Sequence, residues 1–217
     1  MIRALITDFG GVLLRTIDAA PRRSLEMRLG LPSHTLEDLV FGGELSIRAQ
    51  HGEISYDDFW RQIGLQLDLN HRMTVEQLRD EFFSGDALDH DLMAFIRSLR
   101  PPLKTGLISN AWTNARELFT RTIPIIGDFD AVVISAEEGV MKPDPRIYRI
   151  ALERLGVRAE ESIFVDDLLA NVQGAEALGI HGVHFRSTEQ TRGDVQRLLE
   201  LTEGQLATET QRHGEKQ

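Results

Sequence analysis

Residues 4–11 have the sequence ALITDFGG, and this segment indicates what kind of sheet the chain forms. Four apolar or β-branched residues lead to Asp8, and Gly10 and Gly11 follow after one further apolar residue. A short apolar run that ends in an acid and paired glycines is typical of a buried strand that enters a tight turn. We therefore expect a strand here, with Asp8 near its carboxyl end.

The same kind of short apolar segment recurs four times. The segments are rich in Val, Ile or Phe and cover residues 104–108, 131–134, 162–165 and 181–185. Between them, apolar residues recur at i, i+3 and i+4, as Leu92, Phe95 and Ile96 illustrate, and this spacing predicts helices. Strands that alternate with helices predict an α/β fold with a Rossmann-like parallel sheet.

Residues 17–84 interrupt this alternation, because they hold helical patterns and no convincing strand. Thr74 and Gln77 form a capping-box pattern, and Ser55 begins another amphipathic run. The insertion follows the first strand, so it should emerge at the carboxyl edge of the sheet, where open α/β folds bind ligands. The predicted organisation is a core of residues 1–15 and 86–203, a helical cap of residues 16–85, and a frayed polar tail of residues 204–217.

The composition excludes several classes of function. The 217 residues carry a formal net charge of −10 and include no cysteine, which rules out disulfides, thiolate nucleophiles and sulfur-bound metals. The acidic balance argues against nucleic-acid and anionic-membrane partners. Asp8 also interrupts the apolar N-terminus before a signal peptide or membrane span could form. We expect a cytoplasmic protein that acts on a small molecule; the sequence carries no signal for its oligomeric state.

Chemically reactive side chains follow four of the predicted strands. In chain order they are Asp8, then Ser109 and Asn110, then Lys142, then Asp166 and Asp167. The carboxyl ends of parallel strands share one edge, so these groups can converge. Adjacent carboxylates near a third acid repel one another unless they share a cation, and hard oxygen ligands select Mg²⁺. The sequence therefore predicts a Mg²⁺ site at this edge, and the ion would also attract a phosphate.

These motifs, in this order, resemble those of the haloacid dehalogenase superfamily, whose members are mostly Mg²⁺-dependent phosphatases. The resemblance covers the whole core and places the helical cap of subfamily I at the insertion. Residues 110–112, 139–148 and 164–175 are most similar to the amino-terminal phosphatase domain of soluble epoxide hydrolases and to small bacterial sugar-phosphate phosphatases. The resemblance implies a phosphatase of a small phosphorylated metabolite, with sugar phosphates among the candidates.

The resemblance also implies a role for each reactive residue. Asp8 would be the nucleophile that takes up the phosphoryl group as an aspartyl-phosphate, and Lys142 would bridge Asp8 and the phosphate. The implied phosphate-binding residues are Ser109, Asn110, Gly10 and Gly11. The implied metal ligands are Asp8, the main-chain carbonyl of Gly10, Asp167 and Asp166. Asp167 is expected to bind the ion directly and Asp166 through water or hydrogen bonds, although the motif does not fix this order.

One position departs from the family pattern. Family phosphatases carry a second aspartate two residues after the nucleophile, which protonates the leaving oxygen and then activates water, and this chain has Gly10 there. Such a general acid contributes ~10²–10⁴-fold in rate, roughly 3–5 kcal/mol of barrier. Some family phosphatases also have glycine here, so we expect activity on a weakly basic leaving group, as in an anomeric sugar, aryl or acyl phosphate. Glu44, His51 and Glu53 of the cap, or a water, are candidate replacement donors.

Two other functions stay open at this level. A 2-haloacid dehalogenase uses the same aspartate as a nucleophile on carbon without metal, but the paired acids Asp166 and Asp167 would then face an anionic substrate. A catalytically weak phospho-ligand-binding module is motivated directly by Gly10. The place of Trp112 is also open, since it either lines the pocket or packs in the interior.

Overall fold

Strands and helices alternate around one parallel sheet. The computed structural model describes residues 1–69 and 72–214, with side chains as far as Leu201. Its strands are β1 (Ala4–Thr7), β2 (Leu14–Thr16), β3 (Asp86–Leu88), β4 (Lys104–Ser109), β5 (Ala131–Ile134), β6 (Ser162–Asp166) and β7 (His181–His184). Its helices are α1 (Ala20–Leu29), α2 (Thr35–Glu37), α3 (Glu44–Gln50), α4 (Tyr56–Gln66), α5 (Val75–Phe83), α6 (His90–Ser98), α7 (Ala115–Glu117), α8 (Ser135–Glu138), α9 (Pro145–Leu155), α10 (Leu169–Glu176) and α11 (Thr188–Gly214).

The central sheet has the strand order β5-β4-β1-β6-β7, and all its pairs are parallel. Thr7, the last residue of β1, lies opposite Leu107 of β4 and Val165 of β6. Asp8 and Asp166 each come one residue later, so they reach the same edge of the sheet. The predicted α/β class with a Rossmann-like parallel sheet is confirmed.

Helices cover both faces of this sheet, and the central strands are accordingly buried throughout. Leu5 and Ile163 point to the face covered by α6 and α11. Ile6 and Phe164 point to the opposite face, which α9 and α10 cover. The strands therefore hold their carboxyl ends in a rigid frame between two hydrophobic layers.

The helices α1–α5 lie within the segment predicted as a cap, and they share a hydrophobic cluster that is separate from the two clusters of the sheet. Phe59, Trp60 and Phe82 are buried at its centre. The two predicted helix starts are confirmed. Ser55 accepts a hydrogen bond from the Asp58 N–H of α4 at 3.1 Å, and Thr74 and Gln77 form the capping box of α5.

The cap is joined to the core through a short antiparallel pair that the sequence analysis did not predict. In this pair, which we call the hinge strands, β2 pairs with β3, with Leu14 opposite Leu88 and Thr16 opposite Asp86. The buried Arg22 of α1 donates to both carboxylate oxygens of Asp86, at 2.7 and 2.8 Å. This charge-assisted contact ties the first helix of the cap to β3, the strand on which the chain returns to the core.

The backbone of the last helix, α11, is described as helical from Thr188 to Gly214. Residues 215–217 lie outside the described part of the chain. No described helix combines the length and the apolar character of a bilayer-spanning segment.

Candidate active site

Three carboxylates converge at the carboxyl edge of the sheet. Asp8 follows β1 and is 7% exposed, Asp166 ends β6 and is fully buried, and Asp167 comes next. One oxygen from each lies within 4.8 Å of the others. Oxygen donors in such a cluster suit a hard divalent cation, so the predicted residues fit a Mg²⁺ site.

Lys142 is the single ammonium that the described residues bring into this cluster. Its Nζ lies 2.7 Å from Asp8 Oδ1 and 2.7 Å from Asp166 Oδ2, and it donates to the Ile108 carbonyl at 3.1 Å. These three acceptors match the three N–H bonds of an ammonium. One positive charge among three carboxylates leaves the site net negative, which a bound cation would offset.

The Asn110 side chain holds the backbone of Lys142. Its side-chain amide donates to the Lys142 carbonyl at 3.0 Å, and its Oδ1 accepts from the Lys142 N–H at 2.8 Å. Both ends of the amide are therefore engaged with backbone. This placement favours a positioning role for the Asn110 side chain, and its contact with phosphate stays a prediction.

Asp166 and Asp167 differ in how many partners they already have. Asp166 accepts from Lys142 Nζ, from the Leu168 N–H at 2.8 Å, and from Asn171 Nδ2 at 3.0 and 3.1 Å. Asp167 is less buried, and its backbone carbonyl lies 2.9 Å from His184 Nε2. Because the oxygens of Asp166 already accept several hydrogen bonds, Asp166 suits an indirect contact with a metal ion, and Asp167 suits direct binding. This is the order that the family resemblance implies.

The two glycines after Asp8 have different constraints. Gly11 has φ +79°, and a Cβ there would lie 2.2 Å from Asp167 Oδ2, so both the backbone and the carboxylate require glycine. A Cβ on Gly10 would meet nothing within 4 Å. Gly10 therefore faces open space where the family's general acid would project.

Ser109 ends β4 at the same edge and is buried. Its hydroxyl makes no hydrogen bond to any described residue, so it is available to donate to a phosphoryl oxygen. The structure thus brings Ser109, Asp8, Lys142 and the acidic pair to one edge of the sheet.

The electrostatics of the cluster follow from burial. Burial raises the pKa of Asp8 to about 7, the neighbouring charges of Asp166 and Asp167 add to this, and Lys142 opposes it. Burial and Asp166 also raise the pKa of Asp167. Burial by itself would lower the pKa of Lys142, but the charges of Asp8 and Asp166 outweigh it and raise that pKa. The lysine is therefore a permanent cation at neutral pH.

The three proposed replacement acids have other partners or lie on the surface. His51 Nδ1 lies 3.3 Å from the Gly139 carbonyl of the core. Glu53 pairs with Arg48 at 3.2 Å, and both side chains are about half exposed, at 56% and 47%. Glu44 is exposed in the first turn of α3. None of these contacts directs an acid to the open space above Gly10.

Sequence reasoning gave no role to Asn171, which holds the buried Asp166 from the first turn of α10. Its spacing of five residues after Asp166, across a strand-to-helix turn, is the signal that could have found it. Tyr148 in turn donates to the Asn171 carbonyl at 2.8 Å.

An acid cluster with a buried lysine, beside a helical insertion at the carboxyl edge of a parallel sheet, is typical of the ligand sites of α/β enzymes. The model of the haloacid dehalogenase-like hydrolases matches residues 2–179, and the chain belongs to that family. The expected family is thereby confirmed, and the chain is a hydrolase.

Three similar proteins illustrate the range of this family. Mouse acyl-CoA dehydrogenase family member 10 is 30% identical over 206 residues, which are 91% of this chain and 19% of that protein, so the chain spans about a fifth of that relative. The D-ribitol-5-phosphate phosphatase of Bacteroides thetaiotaomicron is 27% identical over 188 residues, covering 82% of this chain and 89% of that enzyme. A crystal structure of a family enzyme from Bacteroides thetaiotaomicron, in complex with magnesium and inorganic phosphate, has a TM-score of 0.71 at 22% identity, covers 86% of this chain and 95% of that one, and shows the same fold.

Proposed function

We propose that the chain is a Mg²⁺-dependent phosphatase that hydrolyses a small phosphorylated metabolite, with sugar phosphates among the candidates, through an aspartyl-phosphate on Asp8. The observation that carries the proposal is the buried contact of Lys142 with Asp8 and Asp166, beside Asp167. The phosphatase activity of the similar ribitol-phosphate enzyme supports the same reaction.

Mg²⁺ would be held by Asp8, Asp167 and the Gly10 carbonyl, with Asp166 behind them, and would supply positive charge to the nucleophile and the phosphoryl oxygens. Lys142 adds a fixed positive charge beside Asp8. Ser109 donates its hydroxyl to a phosphoryl oxygen. These groups offset the repulsion between an anionic nucleophile and an anionic substrate.

The chemistry proceeds in two displacements at phosphorus. In the first, a carboxylate oxygen of Asp8 bonds to phosphorus while the bond from phosphorus to the leaving oxygen breaks, and that oxygen takes a proton from water. In the second, water attacks phosphorus and gives up a proton to the hydroxide that the first step left, the bond to Asp8 breaks, and inorganic phosphate leaves with Asp8 regenerated. Because Gly10 supplies no proton, the first displacement favours a weakly basic leaving group.

The open space at Gly10 also favours a second candidate, a module that binds a phospho-ligand and turns over slowly. The dehalogenase alternative has no comparable support. Metal-free attack on a haloacid gains nothing from Asp166 and Asp167 beside its carboxylate, since like charges repel.

The decisive assay is hydrolysis of p-nitrophenyl phosphate in Mg²⁺ and in EDTA, with Asp8→Asn as the active-site variant. Asp91→Asn is the matched control, because Asp91 is an exposed acid on α6. Loss of hydrolysis with EDTA and in Asp8→Asn alone supports the proposal. Equal rates with and without metal would overturn it. Phosphate binding without turnover would establish the binding module. Halide release from 2-chloropropionate in EDTA would establish the dehalogenase.

A further inference from the structure

Trp112 belongs to the core by sequence and to the cap by packing. It lies three residues after Ser109, yet its indole is part of the cap's hydrophobic cluster, whose other described members all fall within residues 25–83. Its ring stacks against Phe59, with centroids 5.3 Å apart and planes at 23°, and against Phe41 at 6.2 Å and 14°. Tyr56 and Phe83 lie at 5.9 and 6.2 Å. We call Phe41, Tyr56, Phe59 and Phe83 the aromatic socket.

Contacts beside Trp112 seat the cap on the same part of the core. The Tyr56 N–H at the start of α4 donates to Thr113 Oγ1 at 3.0 Å. Gly52 has φ +75°, and a Cβ there would lie 2.2 Å from the Ala136 carbonyl oxygen. The cap backbone therefore touches the loop after β4 and the helix after β5.

The loop that carries Trp112 is held rigidly to the candidate active site. The Ala111 N–H donates to Ser135 Oγ at 3.0 Å, and Ser135 Oγ donates back to the Ala111 carbonyl at 3.2 Å. Asn110, one residue earlier, is bonded at both ends of its amide to the Lys142 backbone. The backbone that leads into Trp112 is thus held in place relative to Ser109 and Lys142.

The cap is consequently attached to the core at two places. The first attachment is the covalent one through the hinge strands, which begin six residues after Asp8. The second attachment is the packing of Trp112, which lies three residues after Ser109, in the aromatic socket. The hinge strands follow β1 and Trp112 follows β4, so the two attachments flank the sheet edge that holds the candidate site. A cap that rotated about the hinge strands would separate the socket from the indole.

We propose that Trp112 is a positioning residue. By packing in the aromatic socket it holds the cap over Ser109 and Lys142, and it thereby governs substrate affinity. This rests on the proposed phosphatase function. Large aromatic contacts dominate the energetics of such interfaces, whereas the indole N–H contributes no hydrogen bond, because Nε1 is buried without a partner among the described residues. The shape of the ring, and not its polar group, is what holds the cap.

Steady-state kinetics of three variants test the proposal with p-nitrophenyl phosphate and Mg²⁺. Trp112→Ala should raise KM by about ten-fold or more while kcat changes less, because the lost aromatic contact weakens closure rather than attack. Trp112→Phe should restore KM to within about three-fold of wild type, since a phenyl ring also stacks in the socket. Leu25→Ala is the matched control, because Leu25 is fully buried in the cap cluster and is not one of the socket rings.

Equal KM changes in Trp112→Ala and Leu25→Ala, or failure of Trp112→Phe to restore KM, would reduce Trp112 to a general stability role and overturn the proposal. If Trp112→Ala does not fold, Trp112→Leu takes its place.

A second measurement does not depend on turnover. Trp60 and Trp112 are the only tryptophans, so Trp60→Phe leaves Trp112 as a single fluorophore. With Mg²⁺ and inorganic phosphate present, acrylamide should quench the fluorescence of Trp112 only weakly. Gly52→Gln places a side chain against the Ala136 carbonyl and should raise this quenching about two-fold or more. Strong quenching with phosphate present would show that the ring is outside the socket and would overturn the proposal. Absent hydrolysis in wild type would refute the phosphatase function and leave this readout of the cap intact.

Discussion

Gly10→Asp tests whether the missing carboxyl group limits the range of substrates. The structure has room for the first atom of the new side chain, because a Cβ on Gly10 meets no atom within 4 Å. It would project from the turn after Asp8, where a carboxyl group can protonate a leaving oxygen.

The expected gain depends on the leaving group. A positioned general acid contributes ~10²–10⁴-fold, so kcat/KM for an alkyl phosphate such as ribitol 5-phosphate should rise by about that factor. The rate for p-nitrophenyl phosphate should change by less than about three-fold, since its leaving oxygen needs little protonation. The contrast between the two substrates, rather than either rate alone, is the predicted signature.

The assay is phosphate release at neutral pH with Mg²⁺, on protein whose folding is checked by circular dichroism. Gly10→Asn is the matched control, because its amide has the same size and no acidic proton. Gly11→Ala should abolish activity, since its Cβ would meet Asp167 Oδ2 at 2.2 Å. A folded Gly10→Asp variant that hydrolyses p-nitrophenyl phosphate normally and gains nothing on alkyl phosphates would refute the reasoning, as would an equal gain in Gly10→Asn.

Three further predictions concern the buried cluster. Lys142→Met leaves Asp8 and Asp166 without their shared cation and should lower the unfolding free energy by about 3–5 kcal/mol in EDTA, measured by urea denaturation; an unchanged midpoint would contradict it. Asn171→Leu removes both hydrogen bonds to Asp166 and should weaken Mg²⁺ binding about 10–100-fold by calorimetry, whereas an unaltered affinity would show that Asp166 needs no such support. Because the pKa of Asp8 is raised from 3.8 to about 7, the folded metal-free protein holds a proton that the unfolded chain has released. Its stability should therefore fall as pH rises between these values, and Asp8→Asn should flatten that dependence; identical slopes in both proteins would exclude Asp8 as the source.

The sheet and the acidic cluster could be predicted because both depend on local signals. Apolar runs that end in an acid mark Asp8 and Asp166, and parallel strands bring such ends to one edge. The order within the acidic pair could not be derived from spacing, since it depends on the partners that saturate Asp166, chiefly Lys142 and Asn171.

The hinge strands and the socket of Trp112 could not be predicted from the sequence, for a different reason. Strands of three residues are too short to show an alternating pattern. An aromatic residue in a loop shows no sign of which hydrophobic cluster will receive it, because that depends on the docking of segments that are distant along the chain. Asn110 similarly has the residue type of a phosphate ligand, and only the fold shows that its amide is occupied by Lys142.

The insertion leaves the core and returns to it on neighbouring strands, about 5 Å apart, so its two ends meet almost at one point. A module with adjoining ends can be exchanged during evolution or in the laboratory without altering the order of the sheet. Trp112 limits that freedom, because any replacement module has to offer an aromatic recess in the same place. Chimeras between members of this family should therefore succeed when they transfer residues 110–113 together with the donor's helices.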